Sequence, residues 1–480
     1  MKRIACTHCG RFGPPVLNRR EMLQRSGLGL GALALTWLLG EEQRLAAADG
    51  QLVAPLQAPG PVKNLILIHH GGGLSHVDSF DPKPELQKLA GKEVPESFVK
   101  LMKIPKQARL RLTNVYPSPF EFKRSGQSGL PISSLFPHLA QRVDDLCLIR
   151  SMQHTSVVHT PADYLTLTGS LLGTRPSLGA WLYYGLGSEN RDLPGFVNMI
   201  HGEHFSGPAV WSAGFLPAKY QGVTVNASEG IPDIVLPSGT REVTRRAQLD
   251  LLAGLNQQHL DRHGANSELE ARIASYEMAF RMQTAAPEAF DIRGESEATR
   301  QLYGLSDEKE TAEFGRQCLL ARRLVERGVR FVQLIQAGWD AHGNLLENHT
   351  KQAKIADKPI AALLADLKAR GLLGQTLVIC GGEFGRTPAA EGGGKTPGRD
   401  HSPQAYTVWL AGGTVKGGQV IGATDDIGYT VVERPVHPND LQATMLHALG
   451  IDQRDLYYTH QNRKEMLTVN GGEVVKEVFG

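Results

Sequence analysis

The stretch NLILIHHGGG, from Asn64 to Gly73, is a short apolar run that ends in two histidines and three glycines. Leu65, Ile66, Leu67 and Ile68 follow one another without a polar break, as expected of a strand buried on both faces. The glycines let the backbone turn tightly where the run stops, and such strand-end loops are where α/β proteins keep their sites. Comparable runs recur at Leu146 to Ile149, Val329 to Ile335, Thr376 to Cys380 and Tyr406 to Leu410. Helical patterns lie between them. Phe314, Cys318, Ala321 and Val325 repeat at helix spacing until Gly328, and Ile360, Leu363, Leu364 and Leu367 do so until Gly371. This alternation predicts right-handed βαβ crossovers and a mostly parallel sheet, hence an α/β fold.

Outside that pattern, residues 242–285 are polar and helical with no strand, and read as an inserted helical hairpin that covers part of the sheet. Residues 202–238, rich in Gly, Pro and Ser, predict a long loop near the sheet's carboxyl edge. At the start of the chain, Arg19 and Arg20 precede an apolar run from Gly27 to Gly40, and Ala46, Ala47 and Ala48 offer a cleavage site. These features predict a twin-arginine export signal over residues 1–48, followed by one large domain over residues 49–480. The apolar run falls short of the 18 or so residues that cross a bilayer, so no transmembrane span is expected in the mature chain. The expected location is the periplasm or the exterior, with the twin-arginine translocase as export partner.

The composition of the 480 residues is that of a chain with a substantial core: 41% hydrophobic and 21% charged. Lys and Arg total 51 against 49 Asp and Glu, a balance that argues against nucleic-acid binding. Cleavage after Ala48 would remove seven basic and three acidic residues and leave 44 against 46. Of five cysteines, Cys6 and Cys9 leave with the signal; Cys147, Cys318 and Cys380 are scattered and expected as buried core thiols.

Two resemblances to catalytic motifs fail on inspection. Gly394, Lys395 and Thr396 look like the end of a phosphate-binding loop, but Ala389 replaces its first glycine and Pro397 blocks the helix that must follow. His70 with Gly71, Gly72 and Gly73 resembles the oxyanion strand of lipases, yet no serine has glycine two residues to either side of it.

Four stretches place acids and histidines after predicted strands: HHGGGLSHVDSF with His69, His70, Ser75, His76 and Asp78; GWDAHGN with Asp340 and His342; GGEFGRTP with Glu383 and Arg386; and GRDH with Asp400 and His401. Ligands of open α/β sheets bind outside the carboxyl ends of strands, so these loops can converge. Imidazole mixed with carboxylate suits a divalent ion of the zinc or manganese kind, with calcium also open. Taken singly, each piece has a plainer reading as a turn cap, a satisfied histidine or a salt bridge. It is their coincidence that points to a site.

Those segments, with GGQVIGATD and the terminal PNDLQATMLHALGID, resemble the bacterial family of domain of unknown function 1501, over roughly residues 60–475. The resemblance implies the alkaline phosphatase and sulfatase superfamily: a three-layer α/β/α sandwich and a metal site. It maps the superfamily's acid and histidine onto Asp340 and His342, its late histidine onto His401, and its Asp-His pair onto Glu383 and Phe384, where the histidine is lost. Aligned back from Leu167, Thr168 and Gly169, His159 stands where sulfatases carry their nucleophile and Asp163 where they carry an arginine. The implied metal ligands are thus His70, Asp78, Asp340, His342, Glu383 and His401. His159 is expected as base or further ligand, and Arg386 as the group that binds the oxyanion. The function implied is metal-dependent hydrolysis of phosphate or sulfate esters, small-molecule or glycan; the alternative is a non-catalytic envelope or glycan-binding protein with a degenerate site.

Overall fold

The computed structural model describes residues 61–101, 114–228, 242–263, 267–391 and 396–480. The expected export signal at 1–48 lies outside them, as do residues 229–238 of the expected long loop and Gly394 and Lys395 of the rejected phosphate loop. The chain clusters into a large body, residues 53–457 and 466–480, and a small unit whose described part, residues 458–465, belongs to a two-stranded hairpin.

The large body is built on an eight-stranded sheet. Its strands are β1 (Asn64–Gly71), β2 (Leu146–Met152), β3 (Phe196–His201), β4 (Val223–Thr224), β5 (Phe331–Ala337), β6 (Thr376–Gly381), β7 (Tyr406–Gly412) and β8 (Gln419–Ile421). They lie in the order β8-β2-β7-β6-β1-β5-β3-β4, and all neighbours are parallel except β7, which runs against β2 and β6. The deciding stretch therefore sits in the middle: β1 pairs with β5 on one side and β6 on the other, with His69 opposite Ile335 and Gly381. All eight residues of β1 are buried, as an apolar run in a central parallel strand requires.

The longer helices are α1 (His159–Thr168), α2 (Leu178–Leu186), α3 (Glu242–His263), α4 (Ser267–Phe290), α5 (Lys309–Glu326), α6 (Leu345–Ala369) and α7 (Pro438–Ala448). Strand side chains alternate between faces, and the two faces meet different helices. Ile66, Ile68, Val332, Leu334 and Val378 share one core cluster with Phe314, Cys318 and Leu320 of α5 and Leu363, Leu364 and Leu367 of α6. Phe331 and Phe196 face the other way, onto α2. A Cβ on Gly179 would stand 2.4 Å from the Phe331 ring, so the bare glycine lets α2 lie close against the sheet. Helices on both faces make three layers. Full burial stabilises each of these side chains by about 1.5–3 kcal/mol.

The inserted segment is a helical pair, α3 and α4. Arg246 of α3 is ion-paired with Glu277 of α4, and Met282, Ala286 and Ala289 of α4 join the core beside α5. Three strands of the large sheet are not among the five runs read from sequence: β4 and β8 are only two and three residues long, and β3, FVNMIH, is broken by Asn198. That amide is fully buried and accepts a hydrogen bond from Gln333 Nε2 of β5 at 3.1 Å, a polar pair inside the sheet that mimics a loop in an apolarity scan. Cys147, Cys318 and Cys380 are free and buried. Among the described residues no helix is long and apolar enough to cross a membrane.

Candidate metal centre

β1, β5 and β6 are parallel, so the loops after them open on one edge of the sheet, and the chain leaving β2 reaches the same edge before α1 begins. Gly72 fits the β1 loop against the β5 loop: it has φ +109°, and a Cβ there would fall 2.5 Å from Asp340 N. Beyond β6, Gly385 and Arg386 pair antiparallel with Ser402 and His401, in the register His401 to Arg386. These contacts carry His401 to Asp340 across a long stretch of sequence.

His159, Asp340, His342 and His401 form the outer group, with one donor atom from each within 4.8 Å of the others. Every imidazole has its Nδ1 engaged. His159 Nδ1–H donates to Glu383 Oε1 at 2.6 Å, His342 Nδ1–H to Glu391 Oε2 at 2.5 Å, and His401 Nδ1–H to the Val157 carbonyl at 2.8 Å. With Nδ1 so engaged, each ring turns its Nε2 toward Asp340. His159 Nε2 lies 3.3 Å from Asp340 Oδ2, His342 Nε2 lies 3.0 Å from Oδ1, and His401 Nε2 lies 3.4 Å from Oδ1. The His342 and His401 Nε2 atoms are only 2.9 Å apart. Two lone pairs at that distance repel unless a proton or a cation lies between them. A tetrahedral shell with bonds of about 2.0–2.1 Å sets its donors about 3.4 Å apart, so this group fits a divalent ion. An acceptor on the second nitrogen of each ligating histidine is what fixes the tautomer in metal sites.

The electrostatics ask for the same positive charge. Burial works against protonation of His159, but the Asp340 and Glu383 carboxylates outweigh it and lift its pKa to about 9. Burial would likewise raise the Asp340 carboxyl, yet His159, His401 and Arg386 hold it well below the usual carboxylate range. The Phe384 ring lies under the group, 4.5 Å from the His401 ring and 4.9 Å from that of His159, and Phe205 stacks on His159 at 4.9 Å. His342 remains 42% exposed, which leaves the outer side open to a substrate.

His69, Asp163 and Glu383 form an inner group, with all three residues buried. His69 Nε2–H donates to Asp163 Oδ1 at 2.7 Å, and Glu383 Oε2 lies 3.6 Å from the same nitrogen. Glu383 joins the two groups: its Oε1 takes His159 Nδ1–H and the Gly72 N–H, while Oε2 faces inward.

Four of the expected site residues lie outside the outer donor set. His70 points away: its Nδ1 meets Gln336 Oε1 at 2.8 Å and its Nε2 meets Cys380 Sγ at 3.1 Å, so both nitrogens are engaged in the core. Alternation along β1 is the reason, because His69 and His70 face opposite sides. Asp78 is fully buried in an ion pair with Arg399 at 2.7 Å and takes the Ser75 hydroxyl at 2.5 Å. Arg386 offers no free fork to an oxyanion. It is wholly buried and donates to the Gly72, Gly73 and Arg399 carbonyls and to Asp340 Oδ1 at 2.6 Å, so it positions Asp340. Glu383 braces His159 from behind and lies outside the outer donor set. Sequence reasoning gave no role to Glu391, nor to His154, whose Nε2–H holds the Glu383 carbonyl at 2.6 Å. One signal could have flagged Asp163: it follows His159 by four residues on α1, on the same helix face.

No curated protein matches the sequence. Among solved structures the chain is similar to the PsFucS1 sulfatase from Pseudoalteromonas sp., with 13% identity, TM-score 0.35, and 86% of this chain and 72% of that one covered. It is also similar to the alkaline phosphatase of the Antarctic bacterium TAB5, with 10% identity, TM-score 0.34, and 82% and 100% covered. A third is the phosphonate monoester hydrolase SpPMH from Silicibacter pomeroyi, with 12% identity, TM-score 0.32, and 72% of each chain covered. Residues 62–479 match the family described as protein of unknown function (DUF1501), and the chain belongs to that family.

Proposed function

We propose that the protein is an exported, metal-dependent hydrolase of phosphate or sulfate esters, with His159, Asp340, His342 and His401 as ligands of the catalytic ion. The observation that carries this reading is the convergence of three Nε2 atoms on one carboxylate, with each Nδ1 tied to an acceptor. Three imidazoles favour zinc or manganese over calcium, which prefers all-oxygen shells. Held by these four residues, a divalent ion would supply polarisation of an ester oxygen and activation of water near neutral pH. The chain's own residues hold that arrangement: Arg386 fixes Asp340, Glu383 fixes His159, and Phe384 closes the side away from solvent. His159, with Nε2 turned to Asp340, acts as a ligand. Export is supported by Arg19, Arg20, the apolar run and Ala46 to Ala48; the twin-arginine route carries folded protein, so the ion would load before crossing.

Elemental analysis of wild type purified without chelator should find a divalent ion. Asp340→Ala should lose it, together with at least about a hundredfold of the hydrolysis measured on a panel of aryl phosphates and sulfates. A metal-free wild type would sink the proposal. Metal without turnover on any ester would favour a binding protein on the same fold.

A further inference from the structure

The open side of the candidate centre is bordered by hydrocarbon. Phe205 is the one exposed phenylalanine among the described residues, at 54%, and its ring stacks on that of His159 with centroids 4.9 Å and planes 19° apart. Its neighbours hold it there. The His204 side chain is buried, with Nε2 3.7 Å from Asp163 Oδ2, and Ser206 is buried with its hydroxyl on that same oxygen at 2.5 Å. Phe205, between two residues drawn inward, is turned out over the imidazole. Val157 and Val158 lead directly into His159, both are more than half exposed, and the Val157 carbonyl is held by His401 Nδ1–H at 2.8 Å. Apolar residues scattered singly over a surface are ordinary. These three share one rim, and each touches, or is next in sequence to, a donor of the outer group. Arg386, the guanidinium paired with that group among the described residues, is buried and committed to carbonyls and to Asp340.

We propose that Phe205, Val157 and Val158 form the subsite for the organic group of the ester, and that this group is uncharged and apolar, an aryl ring above all, rather than a sugar. The inference rests on the hydrolase reading for where the ester is held and adds which alcohol it carries. An aryl ring placed beside Phe205 gains both apolar burial and ring-on-ring contact. A sugar face can also lie on an aromatic ring, but its hydroxyls need polar partners that two valines do not offer. Because the loop already fixes Phe205, and His401 already fixes Val157, little ordering cost is left for binding to meet.

Phenol leaves more readily than a sugar alcohol, so turnover alone would confuse reactivity with recognition. Ligands that cannot be hydrolysed separate the two. Calorimetry on full-length, zinc-loaded protein should show phenylphosphonate binding at least about tenfold more tightly than methylphosphonate, or benzenesulfonate than methanesulfonate. The pair that binds tells phosphate from sulfate esters. In Phe205→Ala the aryl-to-methyl ratio should fall to within about threefold. Val158→Ser should lower it about twofold, and serine is favoured at the N-cap of α1, which Val158 occupies without a side-chain cap. That variant therefore carries the test if Phe205→Ala fails to fold or to hold zinc. Equal affinity for aryl and methyl ligands in wild type would overturn the subsite, and so would an equal loss of both in Phe205→Ala, which would make Phe205 a cover for His159 alone. In either case turnover of any ester by wild type leaves the hydrolase reading standing. An aryl preference without turnover of any ester would support the subsite and remove the hydrolase reading. Binding of none of the four ligands would overturn the subsite, with ester turnover judging the hydrolase reading separately.

Discussion

Two buried polar clusters divide the charged interior of this protein, and they are balanced differently. In the helical layer, Arg322 is fully buried and ion-paired with Glu295 at 2.8 Å, Glu326 at 2.7 Å and Asp366 at 2.9 Å. Arg323 also pairs with Glu295, and Arg370 with Asp366 at 2.7 Å. Each acid there faces a guanidinium, so the network neutralises itself. At the strand ends, Asp163, Asp340, Glu383 and Glu391 face imidazoles, and Arg386 is the one guanidinium paired with them among the described residues. Burying charge is costly unless it is matched. A cluster that matches its own charge can be pure scaffold; one that does not requires a proton or an ion, and the shortfall marks it as a site.

Acid should separate the two most strongly. Around the strand ends lie His70, His154 and His349, which burial pushes down to about 4, about 4 and about 3. Folded, they stay neutral at a pH where the unfolded chain, titrating near 6.5, has already bound protons. Their contribution is therefore complete above pH 6.5 and is lost as pH falls toward 4, by about 2 kcal/mol for each imidazole at pH 5 and about 6 kcal/mol together. In the arginine network the guanidiniums hold the Glu295 carboxylate in its charged form. Burial would raise the Glu295 carboxyl, but Arg322 and Arg323 outweigh it and hold it below its ordinary value. Denaturant titrations of metal-free protein between pH 7.5 and 5 should show stability falling, with a slope shallower by one proton in His349→Gln. An unchanged slope would mean that His349 is not held neutral.

The contrast between clusters also explains what could be read in advance. The central strands and α5 and α6 were legible because their apolar side chains repeat at the period of the element, whatever the tertiary context. Asp340, His342 and His401 were legible because glycine-flanked acids and histidines follow those strands. His69 and His70 could not be told apart, since sequence does not say which face of a central strand looks toward the site. His204 and Glu391 lie in segments without periodicity, and nothing local says what they meet. The placement of Arg386 away from the open side of the site has a physical origin as well. A guanidinium fork suits an oxyanion and a set of backbone carbonyls equally, and only the fold decides which one it finds.

Removing one member of the balanced cluster gives the next largest effect. Arg322→Leu leaves Glu295 and Asp366 short of a partner inside the protein, and stranding a buried charge in this way costs about 3–5 kcal/mol. Urea unfolding should show that loss while the metal content of the folded protein stays at the wild-type value. A loss below about 1 kcal/mol would show that Arg323 and Arg370 can cover both acids. A change in metal content would show that the clusters are coupled, and the division drawn between them would fail.

The smallest effect tests whether the balanced cluster depends on the backbone beside it. Glu295 is followed by Ser296, which caps the short helix Glu297–Leu302: its Oγ accepts the Thr299 N–H at 3.1 Å, and its own backbone is extended, as a capping residue requires. Ser296→Ala removes that acceptor and should cost about 1 kcal/mol through fraying of the helix start. If the cap does no more than this, Ser296→Ala and Arg322→Leu should add within about 0.5 kcal/mol in a double-mutant cycle. If the cap also holds Glu295 against Arg322 and Arg323, the second substitution should cost less once the first is made, with a coupling of about 0.5–3 kcal/mol. The expected result is additivity, because the Glu295 carboxylate is gripped from three sides by Arg322, Arg323 and Arg370, and fraying one residue away leaves those pairs in place.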